Sequence, residues 1–213
     1  MTEITRMLLP ESHRLYAGGN YKKTSITIHS TANEKSTALD ERRWLDNQGN
    51  TADASWHYCI DENDIVKALP DSMGAWHCGN SEGNRYSLSI EIAESGDRRK
   101  TLEKAAEFTA KKLKALGLGA EALKTHNDWS GKNCPRILID ERYIKDGLDW
   151  EYFKDEVKRN MKEERFNRAD EVPVWGRESI KRFVDRGIFA DENQLDLSLD
   201  MVRILVLLDR LGI

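Results

Sequence analysis

Cysteine is scarce in this chain. Three are present among 213 residues, Cys59, Cys78 and Cys134. An odd number with no leader segment argues against a disulfide framework. Proline is almost as rare, with four, so few segments lose a backbone donor to it. Long apolar runs are missing: none approaches the roughly 18 residues that a membrane span needs, and membrane insertion is not expected. Residues 1–10 hold no basic stretch followed by a long apolar one. No secretory signal peptide is therefore expected, and synthesis in the cytoplasm follows. Neither sign of charge dominates. The 33 Lys and Arg against 37 Asp and Glu leave a net charge of −4, which gives no global electrostatic case for a nucleic-acid partner.

What is present is the composition of a soluble globular protein, 39% hydrophobic and 33% charged, too apolar for disorder. The length suits one ordinary domain with a small second one. No internal repeat or low-complexity tract appears. Residues 1–162 mix strand-like and helical runs. A charged segment from Lys162 to Glu171, closed by Pro173, reads as a linker over 163–173. Residues 174–213 read as a small helical domain.

Ser25-Ile26-Thr27-Ile28-His29 alternates and is rich in β-branched residues, so it reads as a strand. Leu88-Ser89-Ile90-Glu91-Ile92 alternates in the same way. Residues 56–60 and 65–69 read as paired strands around Asp61-Glu62-Asn63-Asp64. Residues 36–47 read as a helix. Leu102, Ala106, Thr109, Leu113 and Leu116 step at helical spacing, and Gly117 is a natural stop. Strands alternating with helices predict an α/β or α+β sheet with helices packed on it. In the tail, Ile180, Val184 and Ile188 form one stripe, and Met201, Ile204, Leu205, Leu208 and Leu211 a second. Ser198 is a predicted N-cap for the last helix.

His29 closes the first strand. His126 and Cys134 lie in Thr125-His126-Asn127-Asp128-Trp129-Ser130-Gly131-Lys132-Asn133-Cys134-Pro135. Zinc takes imidazole nitrogen and thiolate sulfur, and three protein ligands leave a fourth position for water. Two ligands eight apart, with a third about 100 residues upstream, match no local finger pattern. From the residues alone two readings stand: an open metal site, or a half-buried histidine, an exposed one and a structural thiol. Glu91 points opposite to Ile90 and Ile92 on its strand, either into solvent or into a site. Lys132 is an ordinary loop lysine or a cation facing that site. Cys59 reads as a buried free thiol, His57 as a core residue and His13 as a surface one.

The ordered set resembles a known family. Ile26-Thr27-Ile28-His29-Ser30-Thr31-Ala32, Ala54-Ser55-Trp56-His57-Tyr58, Ala75-Trp76-His77-Cys78-Gly79, Ser89-Ile90-Glu91-Ile92, Thr125-His126-Asn127-Asp128 and Lys132-Asn133-Cys134-Pro135 look like the type 2 N-acetylmuramoyl-L-alanine amidases. That superfamily includes phage lytic amidases, autolysins and peptidoglycan recognition proteins. The resemblance covers residues 25–135. It implies an α/β fold with a mixed central sheet and flanking helices, followed here by the small helical domain. It implies hydrolysis of the amide between N-acetylmuramic acid and L-alanine in bacterial peptidoglycan, with one zinc ion on His29, His126 and Cys134. Many members carry Asp at the last position; Cys134 is similar to the branch of Gram-positive autolysins and recognition proteins. Glu91 falls at the general-base position and Lys132 where a cation stabilises the oxyanion. Some members place a tyrosine where Trp56 stands. Trp56 has no acid–base group, so proton transfer falls to Glu91. His77, Trp76, Asn80, Asn84 and Arg85 are substrate-binding candidates, since sugars stack on aromatic rings and stem carboxylates pair with arginine.

An amidase without a leader would reach the wall after release, as a phage endolysin or prophage autolysin does. Two alternatives from the same resemblance are a non-catalytic peptidoglycan-binding module and an intracellular amidase recycling muropeptides. The tail, through Val174-Trp175-Gly176-Arg177 and Val184-Asp185-Arg186-Gly187-Ile188, is similar to one S-layer-homology-like motif. That implies wall binding or a homodimer, or a cap on the catalytic domain.

Overall fold

The computed structural model describes residues 3–162 and 165–213. The chain divides into two compact units, residues 1–161 and 162–213. In the first, six strands form one sheet: β1 (Ile4–Arg6), β2 (Ser25–Ser30), β3 (Tyr58–Ile60), β4 (Ile65–Lys67), β5 (Ser87–Ile92) and β6 (Leu123–Thr125). Their order is β1-β4-β3-β5-β2-β6. The β3–β4 hairpin is antiparallel and the other pairings are parallel, so the sheet is mixed. Six helices flank it: α1 (Ala38–Leu45), α2 (Ser81–Tyr86), α3 (Arg98–Leu116), α4 (His126–Ser130), α5 (Arg136–Ile139) and α6 (Trp150–Met161).

The alternation seen in the sequence sets the two faces. Ile26 and Ile28 of β2, Tyr58 and Ile60 of β3, and Leu88, Ile90 and Ile92 of β5 share one buried cluster with Leu102, Phe108 and Leu113 of α3 and Phe153 and Val157 of α6. Each buried aliphatic side chain contributes about 1.5–3 kcal/mol. A slip of one residue would exchange that row for Thr27, His29, Ser89 and Glu91, so the register is strongly fixed. Under α1 the opposite face is apolar too, with Leu45, Trp56, Cys59, Val66 and Leu69. Beneath β2 and β5 it is polar, and Thr27 pairs with Ser89 and His29 with Glu91 across the two strands. That polar strip is the floor of the site.

Local chemistry sets the helix ends. Thr37 and Asp40 form a capping box at α1, which therefore starts two residues after the predicted Ser36. Asp97 caps α3 by accepting from the Lys100 N–H at 3.1 Å. Gly117 ends α3 in the left-handed region (φ 68°), where a side chain would be strained. Helix α6 carries no counterpart in the sequence reading. Its twelve residues are mostly polar, and of its apolar ones only Phe153 and Val157 are buried. Strands β1 and β6 have three residues each, too short for an alternation to register.

The second unit holds β7 (Arg165–Phe166), α7 (Val174–Asp185), β8 (Leu197–Ser198) and α8 (Leu199–Arg210), with β7 and β8 antiparallel. This changes the reading of 163–173 as a linker. Phe166 and Val172 are buried in the unit's own core beside Ile180, Leu195, Leu197, Val202 and Val206, and Arg165 pairs with Asp196 at 2.7 Å. Residues 163 and 164 lie outside the described residues. The predicted stripe on α8 is partly out of phase: Val202 and Val206 are buried, Leu205 of the stripe packs against them and Leu208 is half-buried, while Met201, Ile204 and Leu211 are exposed. Ile188 is exposed as well. Ser198 does cap α8, accepting from the Met201 N–H at 3.2 Å. No helix among the described residues is long and apolar enough to cross a membrane.

Helices α7 and α8 meet at Gly176, where an added Cβ would sit 2.7 Å from Val202 Cγ1 and 3.1 Å from Val172 Cγ1. Gly176→Ala should therefore destabilise the second unit by about 1–3 kcal/mol through overpacking. Amide hydrogen exchange in residues 165–213 should quicken by roughly one to two orders of magnitude, while α3 and β5 keep their protection. Unchanged exchange in both units would contradict the close approach.

Candidate metal centre and its cleft

Three side chains from two parts of the chain converge at the end of the polar strip. His29 is the fifth residue of β2. His126 is the first residue of α4, and its neighbour Thr125 caps that helix in a box with Asp128. Cys134 follows on the loop after α4. The Nδ1 atoms of His29 and His126 are 3.1 Å apart, and Cys134 Sγ is 3.7 Å from His29 Nδ1. All three residues are buried, their ligand atoms lie within 4.8 Å of one another, and they could hold a metal ion. The loop that carries two of them is braced from inside. The Asn127 backbone N–H donates to the Cys134 carbonyl at 3.0 Å, and Asn127 Nδ2 donates to the Lys132 carbonyl at 3.0 Å. Gly131 makes the turn in the left-handed region (φ 72°).

Electrostatics favours neutral imidazoles here. Burial, then His126 and Lys132, hold His29 well below its ordinary value. Burial and Lys132 bring His126 down to about 4. A neutral ring offers the lone pair that a metal requires. Burial pushes the Cys134 thiol up to about 12, so a bound cation would have to draw its proton off. On the far side of His29, its Nε2 lies 2.9 Å from His77 Nδ1. Cys78 Sγ lies 3.1 Å from that same His77 atom.

The centre opens into a cleft of about 1040 Å³. Glu91, Lys132, Trp76, His77 and Asn84 line it, together with the three converging residues. Glu91 Oε2 is buried and has no hydrogen-bond partner. Burial, with Glu41 and Glu94 adding repulsion against the pull of Lys132, pushes this carboxyl up to about 8. Lys132 is exposed, and its charge acts on both histidines. Trp76 stands 46% exposed at the rim while Trp56 is buried. Ala32, with φ 54°, is held at the cleft by donating its N–H to Glu94 Oε1 at 3.0 Å. Glu94 is in turn gripped by Arg136.

Some sequence candidates are engaged otherwise. Asn80 spends its side-chain oxygen on capping α2, accepting from the Glu82 and Gly83 N–H groups. Neither Asn80 nor Arg85 is among the residues lining the cleft. Asn84 does line it, but its Oδ1 accepts from the N–H groups of His77 and Cys78 at 3.0 and 2.8 Å. His57 is fully buried; its Nδ1 accepts from the Ser89 N–H and its Nε2 donates to the Met73 carbonyl. His13 is half-buried rather than on the surface, accepting from the Leu15 N–H at 3.2 Å. The α1 wall of the cleft, where Asp40, Glu41, Arg43 and Trp44 stand, belongs to none of the motifs. The exposed Trp44 within a charged helix was the available sign.

A profile of the family described as N-acetylmuramoyl-L-alanine amidase matches residues 20–137, more than half of the chain. The chain belongs to this amidase family. CwlA of Bacillus subtilis (strain 168), named an N-acetylmuramoyl-L-alanine amidase, is 40% identical over 131 residues, 58% of this chain and 47% of that protein. XlyB of the same organism, named likewise, is 38% identical over 123 residues, 54% of this chain and 38% of that one. The chain thus spans less than half the length of these two relatives. Among solved structures, the catalytic domain of XlyA superposes with a TM-score of 0.65 at 31% identity, covering 73% of this chain and 99% of that one. PlyL superposes with a TM-score of 0.62 at 29% identity, covering 73% and 97%. The fold of the first unit, a mixed sheet with flanking helices, is therefore shared with these two structures.

The state of Glu91 gives a pH-dependent outcome for metal-free protein. Its folded value, about 8, lies above the ordinary 4.5, so the fold holds a proton that the unfolded chain releases. Stability from this group is intact below pH 4.5 and is lost as pH rises toward 8. Glu91→Gln removes the titration. Metal-stripped Glu91→Gln should melt higher than metal-stripped parent near pH 8, with the gap closing by about pH 4. A gap independent of pH would refute the assignment.

Proposed function

We propose that this chain is a zinc-dependent N-acetylmuramoyl-L-alanine amidase. It hydrolyses the amide between N-acetylmuramic acid and L-alanine in bacterial peptidoglycan, as a lytic enzyme of the endolysin or autolysin kind. The observation that carries the reading is the meeting of His29, His126 and Cys134 beside an unpartnered Glu91 carboxyl in one cleft. The donor set suits the ion. Tetrahedral zinc with N at about 2.05 Å and S at about 2.3 Å needs N···N near roughly 3.4 Å and N···S near roughly 3.6 Å. The corresponding spacings are 3.1 and 3.7 Å.

When bound, zinc acidifies a water and polarises the scissile carbonyl. Glu91 takes the proton of the attacking water at Oε2 and returns it to the departing alanine nitrogen. Its buried setting favours the protonated form, which suits the second of these steps. The Lys132 ammonium offsets the negative charge that grows on the carbonyl oxygen. Trp76 offers its exposed ring to a sugar face, and His77 borders the same cleft. Trp56 is packed and its indole has no acid–base group to lend, so Glu91 acts without a tyrosine partner. The second unit serves as a wall-binding or dimerisation module.

The test is release of new L-alanine amino termini from defined Gram-positive peptidoglycan. Removing zinc with a chelator should stop release, and zinc should restore it. Glu91→Gln should lower turnover by about 10²–10⁴ while one zinc per chain remains bound. Lys132→Met should lower it by about 10²–10³. Full turnover in Glu91→Gln, or in the chelated protein, would sink the reading.

A further inference from the structure

Both ring nitrogens of His29 face protein atoms. Nδ1 looks toward His126 Nδ1 at 3.1 Å and Cys134 Sγ at 3.7 Å. Nε2 looks toward His77 Nδ1 at 2.9 Å. A neutral imidazole carries a single proton, and the nitrogen without it holds the lone pair. With the proton on Nδ1, His29 would aim an N–H at the other two ligands and have nothing to give an ion. With the proton on Nε2, the lone pair points at them.

We infer that His77 is the positioning residue that selects this second state: its Nδ1 accepts the His29 Nε2–H and so presents His29 Nδ1 to the metal. The inference rests on the zinc reading of the site. A metal-bound histidine ordinarily gives its second N–H to a carboxylate, a carbonyl or water. Here the acceptor is a second imidazole, which adds no charge to the ligand set. Cys78 Sγ approaches the same His77 nitrogen at 3.1 Å, but a thiol is the weaker donor.

The surroundings hold His77 for this task. Its N–H and that of Cys78 both donate to Asn84 Oδ1, and the Asn84 carbonyl accepts from the Ala75 N–H at 2.9 Å. Helix α2 presses on the loop so closely that a Cβ on Gly83 would lie 2.7 Å from Cys78 Sγ. The His77 ring meets the His29 ring edge-on, with centroids 5.1 Å apart at 74°. His29, His77 and Cys78 could also hold an ion of their own. A second ion there would need His29 to give up both ring protons and act as a bridge, which is the competing arrangement.

The experiment measures zinc, not turnover, in the full chain. His77→Leu fills the space without an acceptor, and His77→Asn returns an acceptor oxygen close to the place of Nδ1. Chelator competition at neutral pH should find one zinc per chain in the parent. Affinity should fall about 10–100-fold in His77→Leu and recover to within a few-fold of the parent in His77→Asn. Long-range nitrogen–proton spectra of the zinc-loaded parent should show His29 protonated at Nε2. Equal affinity in His77→Leu overturns the inference, as does a His29 proton on Nδ1. Two zinc ions in the parent, one of them lost in His77→Leu, overturns it in favour of the bridge. A parent that binds no zinc overturns the inference and the proposed zinc chemistry together, a result distinct from the others. Where His77→Leu fails to fold, the same spectrum of the metal-free parent serves: a His29 proton on Nε2 is expected, and one on Nδ1 overturns the inference.

Discussion

The parallel pairing of β2 with β5 is the interaction on which the rest depends. Its register sets Ile26 and Ile28 against Leu88 and Ile90 on one face and His29 against Glu91 on the other. The apolar face is driven into α3 and α6 by burial of aliphatic side chains. The polar face is then left as a strip that cannot be turned over without exposing that core. His29 and the half-buried Glu91 are thus held side by side by packing that involves neither of them. His126 and Cys134 arrive on a stretch whose own hydrogen bonds, from Asn127 and around Gly131, fix its shape.

Much of this was legible in the sequence where a period of two was visible. Ser25–His29 and Leu88–Ile92 alternate cleanly, and the strands and the division of their side chains between two faces follow from that pattern alone. The helix ending at Gly117 was legible for the same kind of reason, an apolar stripe closed by a residue free to adopt positive φ. What was not legible falls into two groups. Elements of two or three residues, such as β1, β6 and the β7–β8 ribbon, are too short to carry a period and exist because a neighbour pairs with them. The phase of α8 is hidden for a different reason: every position from Ile204 to Leu208 is apolar. When a helix is apolar around most of its circumference, only the partner decides which side is buried.

The site divides in the same manner. The convergence of His29, His126 and Cys134 could not be read from spacing, since 97 residues separate the two histidines; it was readable only through resemblance. Asn80 and Asn84 were placed near the substrate by their position in the chain. In the fold their amide oxygens are consumed by backbone N–H groups, one as a helix cap and one as a clamp on the His77 loop. Short polar side chains near turns readily hydrogen-bond the neighbouring backbone instead. The charged segment after α6 looked like a linker because charge was abundant there. Two buried residues, Phe166 and Val172, were enough to make it part of a folded unit.

The braced loop after α4 has a further meaning. Gathering three ligand atoms from separate places costs conformational entropy, and in many small metal-binding domains that cost falls on the ion. In this chain the hydrogen bonds of Asn127, the cap at Thr125 and the sheet beneath His29 meet it during folding. The three atoms that could hold an ion already lie within 4.8 Å of one another. If the site takes the zinc proposed for it, capture would be closer to docking on a prepared surface than to folding around a metal, and the Cys134 proton would have to leave as the ion enters.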